Sequence, residues 1–204
     1  MLELREIVPR GDLLGASLIL PTPLGYLFGG KPPRLEAGGL VIRVTGIGGR
    51  VEPGEAFAEC AAREALEEIG CGVEILPCRR TLLVRGPNGS SLEKVETAPY
   101  AVVRRRAGAP PGEPWGGDPS LPWLTVVVYL ARLRGEPRPV EERLPFLFYL
   151  GARGLEALSR GDVPLADLLL AGARVDPLAG VDPPAGSVAR LTDSPEALLM
   201  AIYE

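Results

Sequence analysis

Histidine is absent from the 204-residue sequence, and its absence excludes several classes of enzyme. Without an imidazole, the chain cannot form a Ser-His-Asp triad, a histidine general base or a histidine zinc site. Cysteine is scarce as well, and its odd count and lack of a C-x-x-C spacing favour buried free thiols over a disulfide framework or a thiolate zinc site. The three cysteines are Cys60, Cys71 and Cys78.

Other features of membrane, secreted and nucleic-acid-binding proteins are also missing. The sequence has no run of about 18 apolar residues that would span a membrane. Its N-terminus lacks the basic start, apolar core and small-residue cleavage site of a signal peptide. A net charge of −4 gives no basic excess of the kind that duplex nucleic-acid binders carry. We therefore expect a cytoplasmic protein with neither a membrane nor a nucleic-acid partner.

The most informative stretch that is present spans residues 48–71 and reads GGRVEPGEAFAECAAREALEEIGC. It fits the pattern G-x5-E-x7-R-E-U-x-E-E-x-G-U, in which U is an apolar residue and x is any residue. The fixed positions are Gly49, Glu55, Arg63, Glu64, Glu67, Glu68 and Gly70, with Ala65 and Cys71 at the apolar positions. We refer to residues 49–71 as the box.

Residues 55–69 are predicted to form an amphipathic helix. Small or apolar residues recur there at the spacing of one helix face. They are Ala58, Ala61, Ala62, Ala65, Leu66 and Ile69. Because most of them are alanine, the helix axis can lie close to its packing partner. Pro53 and Gly54 provide a turn before the helix, and Gly70 is well placed as the left-handed residue that ends it.

Three carboxylates share one patch of this helix, because Glu64, Glu67 and Glu68 lie at positions i, i+3 and i+4. Like charges at this spacing repel each other, and a divalent cation would turn the repulsion into binding. Oxygen ligands without imidazole or thiolate favour Mg²⁺ or Mn²⁺ over zinc. A solvated acidic face is the alternative for an E-x-x-E-E motif that stands alone. Glu55 and Arg63 also occupy fixed positions of the pattern given above, and this favours a metal site.

At every fixed position, this segment resembles the signature box of the Nudix hydrolase family, in which a loop, a helix and a loop bind divalent cations that hold a diphosphate. The resemblance implies that Glu67 and Glu68 are the principal metal ligands. It implies that Glu64 is a ligand and, in some members, the general base. The carbonyl of Gly48 corresponds to a backbone ligand of the metal.

The resemblance also implies a catalytic role for Arg63, which with Glu55 corresponds to a pair that orients the carboxylates. An ion pair on the helix surface is the alternative for these two residues. The implied reaction is hydrolysis of a pyrophosphate bond, in which bound cations neutralise the phosphate oxygens and activate a water while a carboxylate accepts its proton. The expected enzyme depends on Mg²⁺ (or Mn²⁺) and cleaves a nucleoside diphosphate linked to another moiety. A Nudix-fold ligand sensor without turnover is the competing class.

The fold that the resemblance implies is an α/β/α sandwich with a mixed β-sheet. Strand-like runs on both sides of the box agree with it. They occupy residues 16–20, 24–28, 40–45, 73–84 with an interruption at Pro77, 100–103 and 124–133, while residues 144–150 fit either a strand or a loop. Further helices are predicted at residues 152–158, 165–171 and 195–202. We divide the chain into a Nudix domain at residues 1–174 and a C-terminal extension with a terminal helix at residues 175–204. A homodimer, common in the family, is left open.

Several residues are candidates for substrate binding. A Pro/Gly-rich loop at residues 107–122 could cover the substrate, and Trp115 within it could stack on a nucleobase or pin the loop to the core. Arg43, in the strand that leads to the box, is another candidate. In this family a proline fifteen to sixteen residues after the box is associated with ADP-ribose and related sugar nucleotides, and Pro87 is sixteenth after Cys71. Because 22 of the 204 residues are proline, chance matches are frequent, and dinucleoside polyphosphates and (d)NTPs are alternative substrates.

The general base is a second open choice, because some sugar-nucleotide hydrolases of the family take it from a loop far downstream of the box. Residues 134–145 (RGEPRPVEERLP) contain Glu136, Glu141 and Glu142, and we select Glu142 as the candidate catalytic residue. A solvated acidic loop is the alternative for any one of them. Of the adjacent Glu141 and Glu142, one side chain is expected to point inward while the other meets Arg143 or water.

Overall fold

A computed structural model describes residues 7–85, 90–93, 99–107 and 119–192, with residues 90–93 described by their backbone alone. Its strands are β1 (Leu13–Ile19), β2 (Pro21–Thr22), β3 (Gly25–Gly30), β4 (Arg34–Glu36), β5 (Gly39–Thr45), β6 (Ile47–Arg50), β7 (Val73–Ile75), β8 (Thr81–Val84), β9 (Ser90–Glu93), β10 (Ala101–Arg106), β11 (Trp123–Leu133), β12 (Phe146–Leu150), β13 (Val163–Pro164), β14 (Arg174–Pro177) and β15 (Val188–Leu191). Its helices are α1 (Phe57–Ile69), α2 (Ala152–Ser159) and α3 (Leu165–Leu170).

The strands of the described residues form two mixed sheets. The first has the order β6-β1-β11-β10-β8-β9, with β7 alongside β11. In it β1 is parallel to β11 and β10 is parallel to β8, while β6 is antiparallel to β1. Ser17 of β1 lies opposite Gly48 of β6, and Ala16 lies opposite Gly49. The glycines that open the box therefore belong to a sheet strand next to β1.

The second sheet has the order β13-β15-β5-β3-β12-β14, with β2 paired to β3 and β4 paired to β5. Strand β15 is parallel to β5, and β12 is antiparallel to both β3 and β14. Strands β14 and β15 thus connect most of the described part of the predicted C-terminal extension to the body of the protein. The division of the chain into domains itself stays a prediction.

Helix α1 packs between the two sheets. One cluster of buried side chains joins Ala61 and Ala65 of α1 to Leu18 of β1 and Leu147 of β12. Because neighbouring residues of a strand face opposite sides, Phe148 of β12 points the other way and packs with α2 and α3. A third cluster lies on the face of the first sheet that is turned away from α1. The molecule is therefore layered as α2 and α3, the second sheet, and then α1 with the first sheet.

The predicted α/β architecture, with mixed strands on both sides of the box helix, is confirmed. Helix α1 begins two residues later than predicted, because Ala56 has an extended backbone with φ −80° and ψ 150°. Residues 144–150, which fitted a strand or a loop, contain strand β12. The predicted terminal helix at residues 195–202 and most of the predicted loop at residues 107–122 lie outside the described residues.

Two further expectations concern cysteines and membrane segments. All three cysteines carry free thiols, and Cys60 and Cys71 are buried while Cys78 is half-buried. In the part of the chain that the structure describes, every helix is too short or too polar to cross a bilayer.

A buried carboxylate links the start of β1 to the centre of the first sheet. Asp12 accepts hydrogen bonds from Arg104 at 2.8 and 3.1 Å and from the hydroxyl of Thr125 at 2.7 Å. Burial acts to raise the pKa of Asp12, but the hydrogen bonds from Arg104 and Thr125 outweigh burial and hold that pKa below its ordinary value of 3.8.

The Asp12→Asn variant should lose about 1.5–3 kcal/mol of unfolding free energy at neutral pH, the range for hydrogen bonds to a charged group. A carboxyl with a lowered pKa stabilises the fold above its ordinary pKa and loses that contribution as the pH falls through the folded-state value. The difference between the two proteins in urea unfolding should therefore shrink only below pH 3.8. A difference that stays constant down to the acid transition would contradict this account.

Candidate metal and active site

Helix α1 is held at both ends by residues of the box. Near its start, a carboxylate oxygen of Glu59 accepts the backbone N–H of Ala56 at 3.0 Å, which satisfies a donor that the helix leaves unpaired. At its end, Gly70 has φ 58° and ψ 21°, and its N–H donates to the carbonyl of Leu66. A Cβ at Gly70 would also come within 2.8 Å of Val140 Cγ1. The predicted left-handed glycine is confirmed, and close packing reinforces the choice.

The three box glutamates span the boundary between core and surface. Ala61 and Ala65 are fully buried, so α1 lies close against the first sheet. Glu64 and Glu68 on the same side are only 6% and 4% exposed, whereas the side chain of Glu67 is 43% exposed. Two of the three carboxylates are therefore in a place where an unpaired charge is unfavourable.

Glu68 is held by the backbone that precedes the box. The N–H of Gly48 donates to Oε2 of Glu68 at 3.0 Å. Burial raises the pKa of Glu68 to about 7, and the negative charge of Glu64 acts in the same direction, while the Gly48 hydrogen bond opposes both. A cation beside Glu68 would favour its charged form, because an opposite charge lowers the pKa of a carboxyl group.

The two glycines of β6 are required by close approaches. A Cβ at Gly49 would overlap the carboxylate of Glu64. Gly48 has φ 154°, and a Cβ there would overlap the carbonyl oxygen of Ala16. The backbone of β6 can therefore lie directly against both α1 and β1 only because these two positions lack side chains.

Arg63 joins three carboxylates into one network. It donates to both oxygens of Glu55 at 2.8 and 3.2 Å, and its Nη1 donates to Glu64 Oε1 at 2.8 Å and to Glu67 Oε2 at 3.0 Å. Its Nη2 also donates to the carbonyl of Arg50 at 3.1 Å. The hydrogen bonds from Arg63 lower the pKa of Glu55 to about 2. This fork geometry supports the predicted role of Arg63 and Glu55 in orienting the other carboxylates.

A second arginine reaches the same carboxylates, and sequence reasoning missed this contact. Nη2 of Arg143, in the loop before β12, lies 3.7 Å from Glu64 Oε2 and 3.8 Å from Glu67 Oε2. Arg143 also pairs with Glu141. The position of Arg143 beside two glutamates predicted a local ion pair, but nothing in the sequence connects this downstream loop with the box helix.

The carboxylates fit a divalent cation in chemistry, but arginines lie among them. Within the described residues, no three carboxylate or thiol side chains converge as a ready-made cation site. Instead, Arg63 and Arg143 each contact an oxygen of Glu64 and an oxygen of Glu67. Carboxylate oxygens are the ligands that Mg²⁺ and Mn²⁺ prefer. Because the side chain of Arg143 is 55% exposed, it can turn into solvent when a cation binds.

The downstream loop is arranged differently from the prediction for its adjacent glutamates. Glu141 pairs with Arg143 and is linked through it to the box carboxylates. Glu142 is exposed and makes no hydrogen bond or ion pair with a described residue. Catalysis by Glu142 stays a prediction, and Glu141 is the member of the pair that the structure links to the site.

The candidate substrate-binding residues are not brought to the box carboxylates by any described contact. Arg43 forms an ion pair of 2.7 Å with Glu36, which also pairs with Arg190. Pro87 and Trp115 lie outside the described residues. Substrate binding by these three candidates therefore stays a prediction.

A family model described as the NUDIX domain matches residues 36–145, which is more than half of the chain and includes the whole box. The chain belongs to the Nudix family. It has the α/β Nudix fold and is a Nudix hydrolase, a pyrophosphohydrolase. Nudix hydrolases act on small nucleotide derivatives and generally use divalent metal ions.

Solved structures of Nudix proteins resemble this Nudix hydrolase at low identity. A NUDIX-family hydrolase from Clostridium perfringens is 18% identical with a TM-score of 0.45, and the match covers 81% of this chain and 95% of that one. A MutT NUDIX hydrolase from Burkholderia pseudomallei is 23% identical with a TM-score of 0.38, covering 66% and 79%. An ADP-ribose pyrophosphatase from Streptococcus suis is 16% identical with a TM-score of 0.37, covering 65% and 69%. No curated protein matches the chain.

The Arg143→Gln variant of this Nudix hydrolase should bind Mn²⁺ more tightly than the wild type. The cation must displace Arg143 from carboxylates about 4 Å away, and breaking this attraction costs about 1 kcal/mol even at the dielectric constant of water. The variant is spared that cost, which corresponds to roughly a fivefold gain in affinity. Free Mn²⁺ measured by electron paramagnetic resonance during a titration gives the dissociation constant.

The matched control for this variant is Arg132→Gln, since Arg132 pairs with Glu74 on the surface at 3.0 Å. Its Mn²⁺ affinity should equal that of the wild type. Unchanged or weaker Mn²⁺ binding by Arg143→Gln would show that Arg143 does not compete with the cation.

Proposed function

We propose that this Nudix hydrolase cleaves the pyrophosphate bond of a nucleoside diphosphate linked to another moiety, with Mg²⁺ or Mn²⁺ held by Glu64, Glu67 and Glu68. The observation that carries the proposal is the network in which Arg63 contacts two of these carboxylates at 2.8 and 3.0 Å. The absence of a side chain at Gly49 leaves the carboxylate of Glu64 directly against the backbone of β6. On this side of α1, carboxylate oxygens that can bind a cation are therefore held in place by Arg63, and Glu64 lies against the backbone of β6.

The residues of the site have distinct roles in this proposal. A bound cation would neutralise the diphosphate and lower the pKa of a coordinated water. Arg63 holds Oε1 of Glu64 at 2.8 Å, which leaves Oε2 as the oxygen that accepts a proton from the attacking water. Arg143, 3.7 Å from that Oε2, keeps its charge compensated until a cation arrives. Glu141 pairs with Arg143 and gives it an alternative partner.

ADP-ribose or a related sugar nucleotide is the substrate class that we favour. The support is the sequence position of Pro87, sixteen residues after the box, and Pro87 lies outside the described residues. Dinucleoside polyphosphates and (d)NTPs are the alternatives.

A substrate panel with products identified by mass tests the proposed function. Sugar nucleotides, dinucleotides, dinucleoside polyphosphates and nucleoside triphosphates are incubated with the protein and millimolar Mg²⁺ or Mn²⁺, and in parallel with EDTA. At least one sugar nucleotide should give a nucleoside monophosphate and a second phosphorylated fragment, and EDTA should abolish both products. A protein that cleaves no compound in the panel with either cation would contradict the proposal.

The competing class from the sequence, a ligand sensor without turnover, is not the function that we favour, because the chain is a Nudix hydrolase. Arg63 and Arg143 already compensate the charges of Glu64 and Glu67, so the fold does not depend on a cation at these oxygens. Tight binding of one panel compound without any product would favour the sensor over the hydrolase.

We also infer a cytoplasmic location, in keeping with the three free thiols. Free cysteines are typical of proteins in a reducing compartment. The partner of this site is a small molecule, as for Nudix hydrolases in general.

A further inference from the structure

A cavity of about 260 Å³ opens on the face of the first sheet that is turned away from α1. Its floor consists of Gly15 and Ser17 of β1 together with Leu124 and Val126 of β11. A Cβ at Gly15 would meet the carbonyl oxygen of Gly49 at 3.1 Å and Val126 at 3.5 Å, so the glycine helps to keep this space open. The cavity is smaller than the usual range for a whole drug-sized ligand and suits one part of a larger molecule.

Ser17 is the unusual residue of this cavity. It belongs to the lining of the cavity and is only 5% exposed, and its buried hydroxyl has no hydrogen-bond partner among the described residues. Buried hydroxyl groups are nearly always paired, because leaving one unpaired costs the hydrogen bonds that it made with water. A ligand atom that pairs with this hydroxyl would therefore bind to a group that the folded protein leaves unsatisfied.

The charge around the cavity favours a phosphorylated ligand. Arg50 and Arg105 both contribute to its lining, and no carboxylate does so among the described residues. Arg50 lies opposite Gly15 in the register of β6 and β1, and its own carbonyl accepts a hydrogen bond from Arg63. One residue thus lies beside both the cavity and the carboxylate network.

Only one strand separates the cavity from the proposed catalytic carboxylates. Gly48 of β6 lies opposite Ser17 and lines the cavity, and its N–H donates to Glu68. Gly49 likewise lines the cavity and lies against Glu64. A molecule with one end in the cavity can therefore pass over the edge of β6 and present its phosphates to the carboxylates.

We propose that Ser17 is a specificity-determining residue, whose hydroxyl hydrogen-bonds the nucleoside or sugar group of the substrate in this cavity. The proposal rests on the proposed function, because that function supplies a substrate with a diphosphate at one end. A ribose hydroxyl and the polar edge of a nucleobase both offer a hydrogen-bonding group to Ser17, and the probes below separate them.

Isothermal titration calorimetry in EDTA tests this proposal without any catalytic step. The probes are AMP, UMP and ribose 5-phosphate, titrated into the wild type and into Ser17→Ala. The variant should bind at least one probe about 5- to 10-fold more weakly, the range for one lost hydrogen bond. An equal loss for all three probes assigns the contact to the ribose, and a loss for one nucleotide alone assigns it to the base. Ser17→Thr keeps the hydroxyl and should restore binding.

Ser187→Ala is the matched control. Ser187 is 2% exposed, but its hydroxyl donates to the carbonyl of Pro184 at 2.7 Å. This substitution should lower the melting temperature and leave probe binding unchanged. Ser17→Ala should weaken probe binding and leave the melting temperature unchanged, because it removes a hydroxyl that makes no hydrogen bond with the described residues.

Three results would overturn the proposal: no binding of any probe to the wild type, equal binding to wild type and Ser17→Ala, or a drop in melting temperature for Ser17→Ala as large as that for Ser187→Ala. The outcome is separable from that of the proposed function. If Ser17→Ala weakens probe binding while the wild type hydrolyses nothing, only the function fails. If the wild type hydrolyses a panel compound and Ser17→Ala binds normally, only the role of Ser17 fails.

Discussion

Replacing Glu67 by glutamine should leave the fold nearly intact and lower turnover at least about 100-fold, since charge stabilisation by a bound metal ion contributes several kcal/mol to such reactions. Glu67 is the most exposed of the three box carboxylates, and its described contacts are with Arg63 and Arg143. Its loss therefore removes a proposed metal ligand without opening a hole in the core. Steady-state kinetics on the compound that the panel identifies, together with urea unfolding, measures both effects.

A matched substitution on another helix is the control for Glu67→Gln. Glu156 of α2 is also a surface carboxylate in an i,i+4 pair, with Arg160 as its partner. Glu156→Gln should change neither turnover nor Mg²⁺ dependence. Full activity of Glu67→Gln with a metal ion still bound would defeat the assignment of the box carboxylates.

The Gly49→Ala variant should be nearly as damaging to turnover, although it leaves every charged side chain in place. The new methyl group would overlap the carboxylate of Glu64, so either Glu64 or strand β6 must move. A displacement of about 1 Å at a catalytic group can cost on the order of 100-fold in rate. We expect a lower kcat and weaker Mn²⁺ binding, because Glu64 is both a proposed base and a proposed ligand.

Gly72→Ala is the control, because Gly72 follows the same box and a Cβ there meets nothing within 4 Å. It should behave as the wild type in turnover and in Mn²⁺ titration. If Gly49→Ala retained normal kinetics, the close approach of β6 to Glu64 would have no part in catalysis.

Local features of the site could be predicted from the sequence because they depend on spacing along one helix. Residues at i, i+3 and i+4 share a helix face wherever the helix packs, and on this face Arg63 joins Glu64 to Glu67. The turn at Gly70 follows from the conformational freedom of glycine at a helix end. The contacts of Arg63 with Glu55 and with the box carboxylates agree with the orienting pair that the family resemblance implies.

Long-range features could not be predicted in this way. The approach of Arg143 to Glu64 depends on where the loop before β12 lies relative to α1, and no short-range pattern encodes that distance. The same is true of the pairing of β15 with β5, which places part of the predicted extension in the second sheet. Ser17 appeared only as one residue of a strand run, because the lack of a hydrogen-bond partner among the described residues is a property of the packed sheet.

We expect the carboxylates of α1 to bind a divalent cation in place of Arg143. A crystal of the protein soaked in millimolar Mn²⁺, with anomalous diffraction recorded, tests this expectation. An anomalous peak should appear in contact with oxygens of Glu67 and Glu68, and the side chain of Arg143 should have left Glu64. A side chain of Arg143 still beside Glu64 and Glu67, with no peak at the carboxylates, would show that they do not form a cation site.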